Sequence, residues 1–155
     1  MKLLGKTDNK FTFEFSVEEK MLLFEVLRLY PVIDPALQEL SKSISNKDIS
    51  QSKKLLQEEL LEQQKQNKEM LKCIFGDSSF FTQQDYYCKL QLSPEQMECL
   101  LQVLNDIRVG TWRNIGSPDY EGLKNLRIKK SSLVSLVIMD VCEYFEYHLL
   151  EAMGE

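Results

Sequence analysis

Phe11-Thr12-Phe13-Glu14-Phe15 alternates apolar and polar residues at every step, so its three phenylalanines share one face of a short strand. Tyr86, Cys88, Leu90 and Leu92 repeat that alternation. Each run leads into a capping box: Ser16 with Glu19, then Ser93 with Gln96. Past the boxes the apolar spacing changes from two to three or four, which predicts helices over 17–30 and 94–115. The first is apolar around most of its circumference, through Met21, Leu22, Leu23, Phe24, Val26, Leu27 and Tyr30, and Pro31 ends it. The second has Pro94 at its first position and Leu100, Leu101, Leu104, Arg108, Thr111, Trp112 and Ile115 on one side. Its stripe runs past Gly110, which falls on the outer side, to a stop at Gly116-Ser117-Pro118.

Three further segments read as helix. Asp34-Pro35 is a start signal for a short one through Ala36, Leu37 and Leu40. A long one is predicted over 48–75, with apolar ends and a middle, Gln63 to Lys68, that is polar all round. Such a middle is either solvated or covered by a partner chain. The last, 133–153, is apolar nearly all round in its first half, which places it at the centre of a bundle.

Superposing Ser16 on Ser93 brings Phe13 onto Leu90, Phe15 onto Leu92, Leu23 onto Leu100 and Val26 onto Val103, an internal repeat at an offset of 77. Strands too short to stand alone are expected to pair with each other. The expected fold is therefore mainly α. It is a single domain over 1–155, a helical bundle with one two-stranded β ribbon (11–15 and 87–92) in which each strand enters a capped helix.

Composition narrows the function more than the fold. A net charge of −5 opposes non-specific attraction to nucleic acid or anionic lipid. The segment Leu133 to Cys142 is too short and too interrupted to span a bilayer, and the N-terminus lacks the apolar run of a secretory signal, so a cytoplasmic protein is expected. Cys73, Cys88, Cys99 and Cys142 have no C-x-x-C spacing, and His148 is the one histidine. Reduced cysteines serving as small apolar side chains are expected, with no metal and no cofactor.

Several polar residues fall where apolar ones are expected. Arg108 lies on the apolar face of its helix, and a buried guanidinium requires a partner. Asp140, set among Val137, Ile138, Met139 and Val141, is the expected one, giving an Arg108–Asp140 ion pair; the alternative is a pocket in which Arg108 binds an anion. Asp140, Tyr144 and His148 recur every fourth residue along one side of the last helix, with Asn105 beside the stripe of its own helix. They form a candidate polar cluster, without the fixed nucleophile that catalysis by such a row requires. Asp106 points outward and Trp112 joins the core. Gly110, Gln63 and Asn67 mark a candidate interface. Lys124, Arg127, Lys129 and Lys130 are the candidate nucleic-acid contacts, in a segment that reads equally as a solvated loop. No P-loop, dinucleotide-binding, nucleophile-elbow or zinc-protease motif occurs.

Asp34-Pro35-Ala36-Leu37-Gln38-Glu39-Leu40, the lysine-containing long helix and Leu104-Asn105-Asp106-Ile107-Arg108 followed by Gly110-Thr111 resemble an uncharacterised family of small helical bacterial proteins. That family is best populated in actinobacteria, where its gene often neighbours that of a Clp-protease adaptor. The resemblance spans about Ser16 to Leu150. The chain departs from the family in Trp112-Arg113-Asn114 and in its Gln- and Lys-rich middle helix. It implies a mainly helical fold and a regulatory role, with no catalytic residues to carry over. The expected function is a non-enzymatic regulatory or adaptor protein, acting through a protein partner or a second copy of itself. The alternatives are a DNA-binding transcriptional regulator using Lys124 to Lys130, and a small-molecule-binding protein or enzyme around Arg108 and Asp140.

Overall fold

The structure, a computed structural model, describes residues 1–32, 47–76, 81–84, 86–119, 121 and 132–154. Its elements in chain order are β1 (Lys2–Thr7), β2 (Lys10–Ser16), α1 (Val17–Leu27), α2 (Lys47–Gly76), β3 (Phe81–Gln84), β4 (Tyr87–Leu92), α3 (Pro94–Asn114) and α4 (Leu133–Met153). The chain is mostly helical with a small antiparallel sheet.

The two expected strands do pair. Phe11 lies opposite Leu92, Phe13 opposite Leu90 and Phe15 opposite Cys88. They are not an isolated ribbon, however, but the central strands of a four-stranded sheet ordered β1-β2-β4-β3. The reason is physical: two strands alone leave both edges and one flank open, and each here gains a hairpin partner. Thr7 pairs with Lys10 across Asp8-Asn9, and Gln84 pairs with Tyr87. Every residue of β1 is exposed, so no burial pattern announces it in the sequence. Lys6 ties this edge down. Its ammonium sits 5.2 Å from the centre of the Phe11 ring and donates to the carbonyls of Ala152 and Met153 at 3.0 and 3.2 Å. A cation there satisfies the orphan carbonyls at the end of α4 and discourages strand addition at the edge.

Both capping boxes form, with the same geometry. Glu19 N–H donates to Ser16 Oγ at 3.2 Å and Ser16 N–H to Glu19 Oε2 at 2.8 Å; Gln96 and Ser93 repeat both bonds at the same lengths. α3 ends as the sequence predicts. Gly116 takes φ +91°, its N–H bonds to Arg113 O, and Ser117 N–H reaches Trp112 O, a Schellman motif.

The repeat extends beyond the strand and helix that reveal it. Phe13 and Leu90, 77 positions apart, face each other across the β2–β4 ladder, so a local two-fold axis passes between them. Each half is a hairpin, a capped helix and a second helix. Across the second helices the offset becomes 78: α2 ends on Gly76 and α4 is capped by Gly154, and the buried positions Asn67 and Ile74 correspond to Phe145 and Ala152. In α1, Leu23 and Val26 are buried, as are their counterparts Leu100 and Val103 in α3. The halves differ in one respect that sets the rest: Pro31 stops the first capped helix early, whereas α3 runs on to Asn114.

Consequently α3, not α4, is the central helix. It packs on α4, α2, α1 and β4, and Met97, Leu100, Val103, Leu104 and Ile107 are wholly enclosed. α4 buries one side through Leu136, Cys142, Phe145 and Leu149, and leaves Leu133, Val134, Val137, Tyr144 and Tyr147 exposed. Gly110, expected on the outer side, is buried because α3 is enclosed on most of its circumference. The short helix after Asp34-Pro35 and the basic residues Lys124, Arg127, Lys129 and Lys130 lie outside the described residues.

Candidate protein-interaction surface

α1 and α4 meet at their polar ends. Glu19, already fixed by the Ser16 capping box, accepts from the Tyr144 hydroxyl and from the Met1 α-amino group, which also donates to Tyr144 Oη. The Tyr144 ring stands edge-on to Phe145 and His148, with centroids 5.2 and 4.6 Å away. From Glu19, helical spacing carries α1 through Leu22 and Val26, with Leu29 in the turn beyond its end; from Tyr144 it carries α4 back through Val141, Val137 and Val134. Val26 is buried. Leu22 is 47% exposed, Val137 49% and Val134 70%. Leu29 and Tyr144 are exposed as well.

The charge along this surface has one dominant sign. On α1, Glu18 and Glu25 are exposed, with Glu25 paired at 3.0 Å to Arg28 one turn on. From Leu133 to Met153, α4 contains no lysine or arginine.

The other half of the repeat makes the corresponding seam, between α2 and α3, in a different way. Cys99 Sγ lies 3.6 Å from Asn67 Oδ1, which also accepts from Gln63 Nε2 at 3.0 Å. Gln63 reaches across to Gln102 Oε1 at 3.3 Å, and Asn67 Nδ2 donates to the Tyr30 hydroxyl at 3.2 Å. Pairing Asn67 with Cys99 and Gln63 with Gln102 makes these helices antiparallel. A cleft of about 180 Å³ beside them is lined by Gln66, Met70, Glu95 and Glu98 as well as these residues. Asn67 is therefore no solvent-facing or interface residue. It is buried and satisfied within the chain, and Gln63 serves it. The expectation that the middle of α2 is solvated or covered by a partner fails at this position because α3 covers it.

Arg108 finds a carboxylate on α4, but not the expected one. Its Nε lies 3.1 Å from Glu146 Oε2, with Nη2 donating to Asn105 Oδ1 at 3.4 Å. Asp140 is exposed. Six helical residues separate the two acids, about 120° around the axis, so only one of them can face α3. Glu146, on the side with Cys142, Phe145 and Leu149, is the one. The contact is an ion pair without full hydrogen bonding: Arg108 Nε and Glu146 Oε1 are buried with no hydrogen-bond partner. Asn105 thus belongs with Arg108, whereas Tyr144 and His148 belong with Glu19 and α1. The single polar cluster read from the sequence is two.

Asp106, expected to point outward, has Oδ2 buried and without a hydrogen bond, and burial raises its pKa. Trp112 is half-buried, its indole N–H held by Pro118 O at 3.1 Å. Desolvation, with the neighbouring Met1 ammonium, lowers the His148 pKa, and Glu151, 3.8 Å away, opposes this. Cys88, Cys99 and Cys142 are buried free thiols and Cys73 is exposed. Burial pushes Cys99 to about 11 and Cys142 to about 12, so neither is a thiolate at neutral pH.

Glu146 supplies a pH dependence of known sign. Desolvation raises its pKa, Arg108 opposes this and Glu143 adds to it. The folded chain then holds more protons than the unfolded chain between the ordinary carboxylate value and the raised one. Stability falls as pH rises through that window, and the stabilising effect is fully present below it. Glu146→Gln should flatten that slope. Urea titrations at about pH 5 and about pH 7 check this, and an unchanged slope in the variant refutes it.

Among the described residues no group of three or more His, Cys, Asp or Glu side chains is placed to hold a metal ion, and no helix is long and apolar enough to cross a membrane. Comparison with protein-family models, curated proteins and solved structures returned no match.

Proposed function

We propose that the protein is a non-enzymatic regulatory or adaptor protein of the bacterial cytoplasm, working through protein contacts at the α1–α4 seam. The observation that carries this reading is the set of exposed apolar side chains there: Leu22 on α1 and Leu29 just past its end, Val134, Val137 and Tyr144 on α4. Apolar side chains scattered singly over a surface are ordinary; aligned along one seam they favour an interface. Two of the polar groups have structural tasks: Glu19 closes a capping box and Asn67 satisfies Tyr30. On the motifs quoted above, kinship with the actinobacterial Clp-adaptor-neighbour family is proposed too, and it points to the same regulatory class.

The test is site-specific photo-crosslinking in cells. A photoreactive residue at Val134 should give a discrete protein adduct, and one at the exposed Lys72 on α2 should give none. Absence of an adduct from Val134, or the same adducts from both positions, refutes the reading.

A further inference from the structure

We infer that the cleft between α2 and α3 binds an alkylguanidinium, either an arginine side chain of a partner protein or a small free guanidine. None of the residues lining it belongs to α1 or α4, so its occupancy does not rest on the α1–α4 surface. The cleft, of about 180 Å³, has Gln63, Gln66 and Met70 on its α2 wall and Glu95, Glu98 and Gln102 on its α3 wall. Its two buried lining residues are satisfied within the chain: Asn67 engages Gln63, Tyr30 and the Cys99 thiol.

What the walls leave over is mainly acceptors. Gln63 uses both amide hydrogens inside the chain, on Asn67 Oδ1 at 3.0 Å and Gln102 Oε1 at 3.3 Å, and Gln66 uses one on Glu62 at 3.4 Å. Their side-chain carbonyl oxygens accept no hydrogen bond among the described residues, and there neither Glu95 nor Glu98 is paired with a cation. No lysine, arginine or histidine lines the cleft. Glu95, in the first turn of α3, gains from the positive end of the helix; Glu98, a turn further on, lies beyond that reach. The fold itself does not require this lining. At the offset of 77, Glu98 corresponds to Met21 and Cys99 to Leu22 in the other half of the repeat.

Two carboxylates and two carbonyls call for donors carried on a cation. A guanidinium holds five N–H groups in one plane, enough to reach both walls at once, and it sheds water more readily than an ammonium. Its methylene stem has Met70 to pack against. A phosphate or carboxylate would meet two like charges, and a neutral ligand would desolvate them without compensation.

The test follows amide NMR signals of the full chain with four probes. They are a blocked tripeptide with arginine between two glycines, the same peptide with citrulline (the uncharged isostere of arginine), agmatine as the free guanidine, and calcium chloride. The arginine peptide should shift the amides of Asn67, Glu98, Cys99 and Gln102 saturably. It should bind at least about tenfold tighter than the citrulline peptide, the equivalent of about 1.4 kcal/mol. Glu95→Gln with Glu98→Gln should weaken binding about tenfold or more. Gln102→Lys, at an exposed position, brings the chain's own cation to the cleft and should weaken it as much, with an unchanged thermal midpoint. Tighter binding of the arginine peptide than of agmatine assigns the site to a protein side chain, and the reverse assigns it to a small free guanidine. No saturable shift at these amides from either guanidinium, equal binding of the citrulline peptide, calcium bound there more tightly than both, or full binding by either variant overturns the inference.

Discussion

Phe13→Ala should lower the unfolding free energy by about 3–5 kcal/mol, the largest loss expected of any single truncation in the chain. Phe13 is wholly buried beside the local two-fold axis. It faces its repeat counterpart Leu90 across the ladder, and its ring stands edge-on to Phe15 at 6.4 Å. Removing the ring opens a cavity shared by both halves, and neither half can collapse into it without moving the other. Leu90→Ala, at the equivalent place, should cost about 2–5 kcal/mol. Thr12→Ala, one residue along on the opposite sheet face, should stay within about 0.5 kcal/mol. Chemical denaturation with a constant m-value decides the matter. A loss under about 1 kcal/mol for Phe13→Ala would mean that the two halves are not welded through this sheet.

Arg108→Leu should have the second largest effect, about 2 kcal/mol, because it leaves the carboxylate of Glu146 buried with no cation. Glu146 is 7% exposed, so water cannot replace the lost partner, whereas the Arg108 side chain at 38% keeps part of its hydration and moderates the cost. The pair is incompletely hydrogen-bonded on both sides, which limits what it contributes when intact. The double variant Arg108→Leu with Glu146→Leu should therefore return to within about 1 kcal/mol of the starting protein, a large favourable coupling. Asp140→Asn, on the outer side of α4, should change stability by less than about 1 kcal/mol. If Asp140→Asn proved as damaging as Arg108→Leu, the assignment of Glu146 as the partner would be wrong.

The Glu146 pairing also shows how a sequence can be legible in kind and not in detail. That Arg108 requires an acid on the last helix follows from its place on an apolar stripe. Which acid depends on the rotation of α4 about its own axis, and that is set by contacts with α3 and α1, not by the α4 sequence. Asp140 sits in the more apolar run, but its own side of α4 faces outward while Ile138 and Val141 pack on the core. An exposed apolar face and a buried one have the same pattern in one dimension, so α4 read as central when α3 holds that place. Gly110 follows the same rule: the exposed side of α3 is the stripe of Glu95, Glu98, Gln102, Asn105 and Val109, and Gly110 lies off it.

The sequence by itself determined what depends on neighbours a few residues apart. The alternation of Phe11 to Phe15 and of Tyr86 to Leu92, the two capping boxes, the stops at Pro31 and Gly116, and the span of the long second helix all follow from local stereochemistry. The offset of 77 carried the pairing of β2 with β4, because equivalent short strands complete each other. Only the tertiary structure decided the two outer strands, whose residues gain no burial to mark them, and the choice of central helix. It also decided that the polar middle of α2 closes against α3. These outcomes turn on how much surface each element finds to cover, a quantity fixed when all of them pack together.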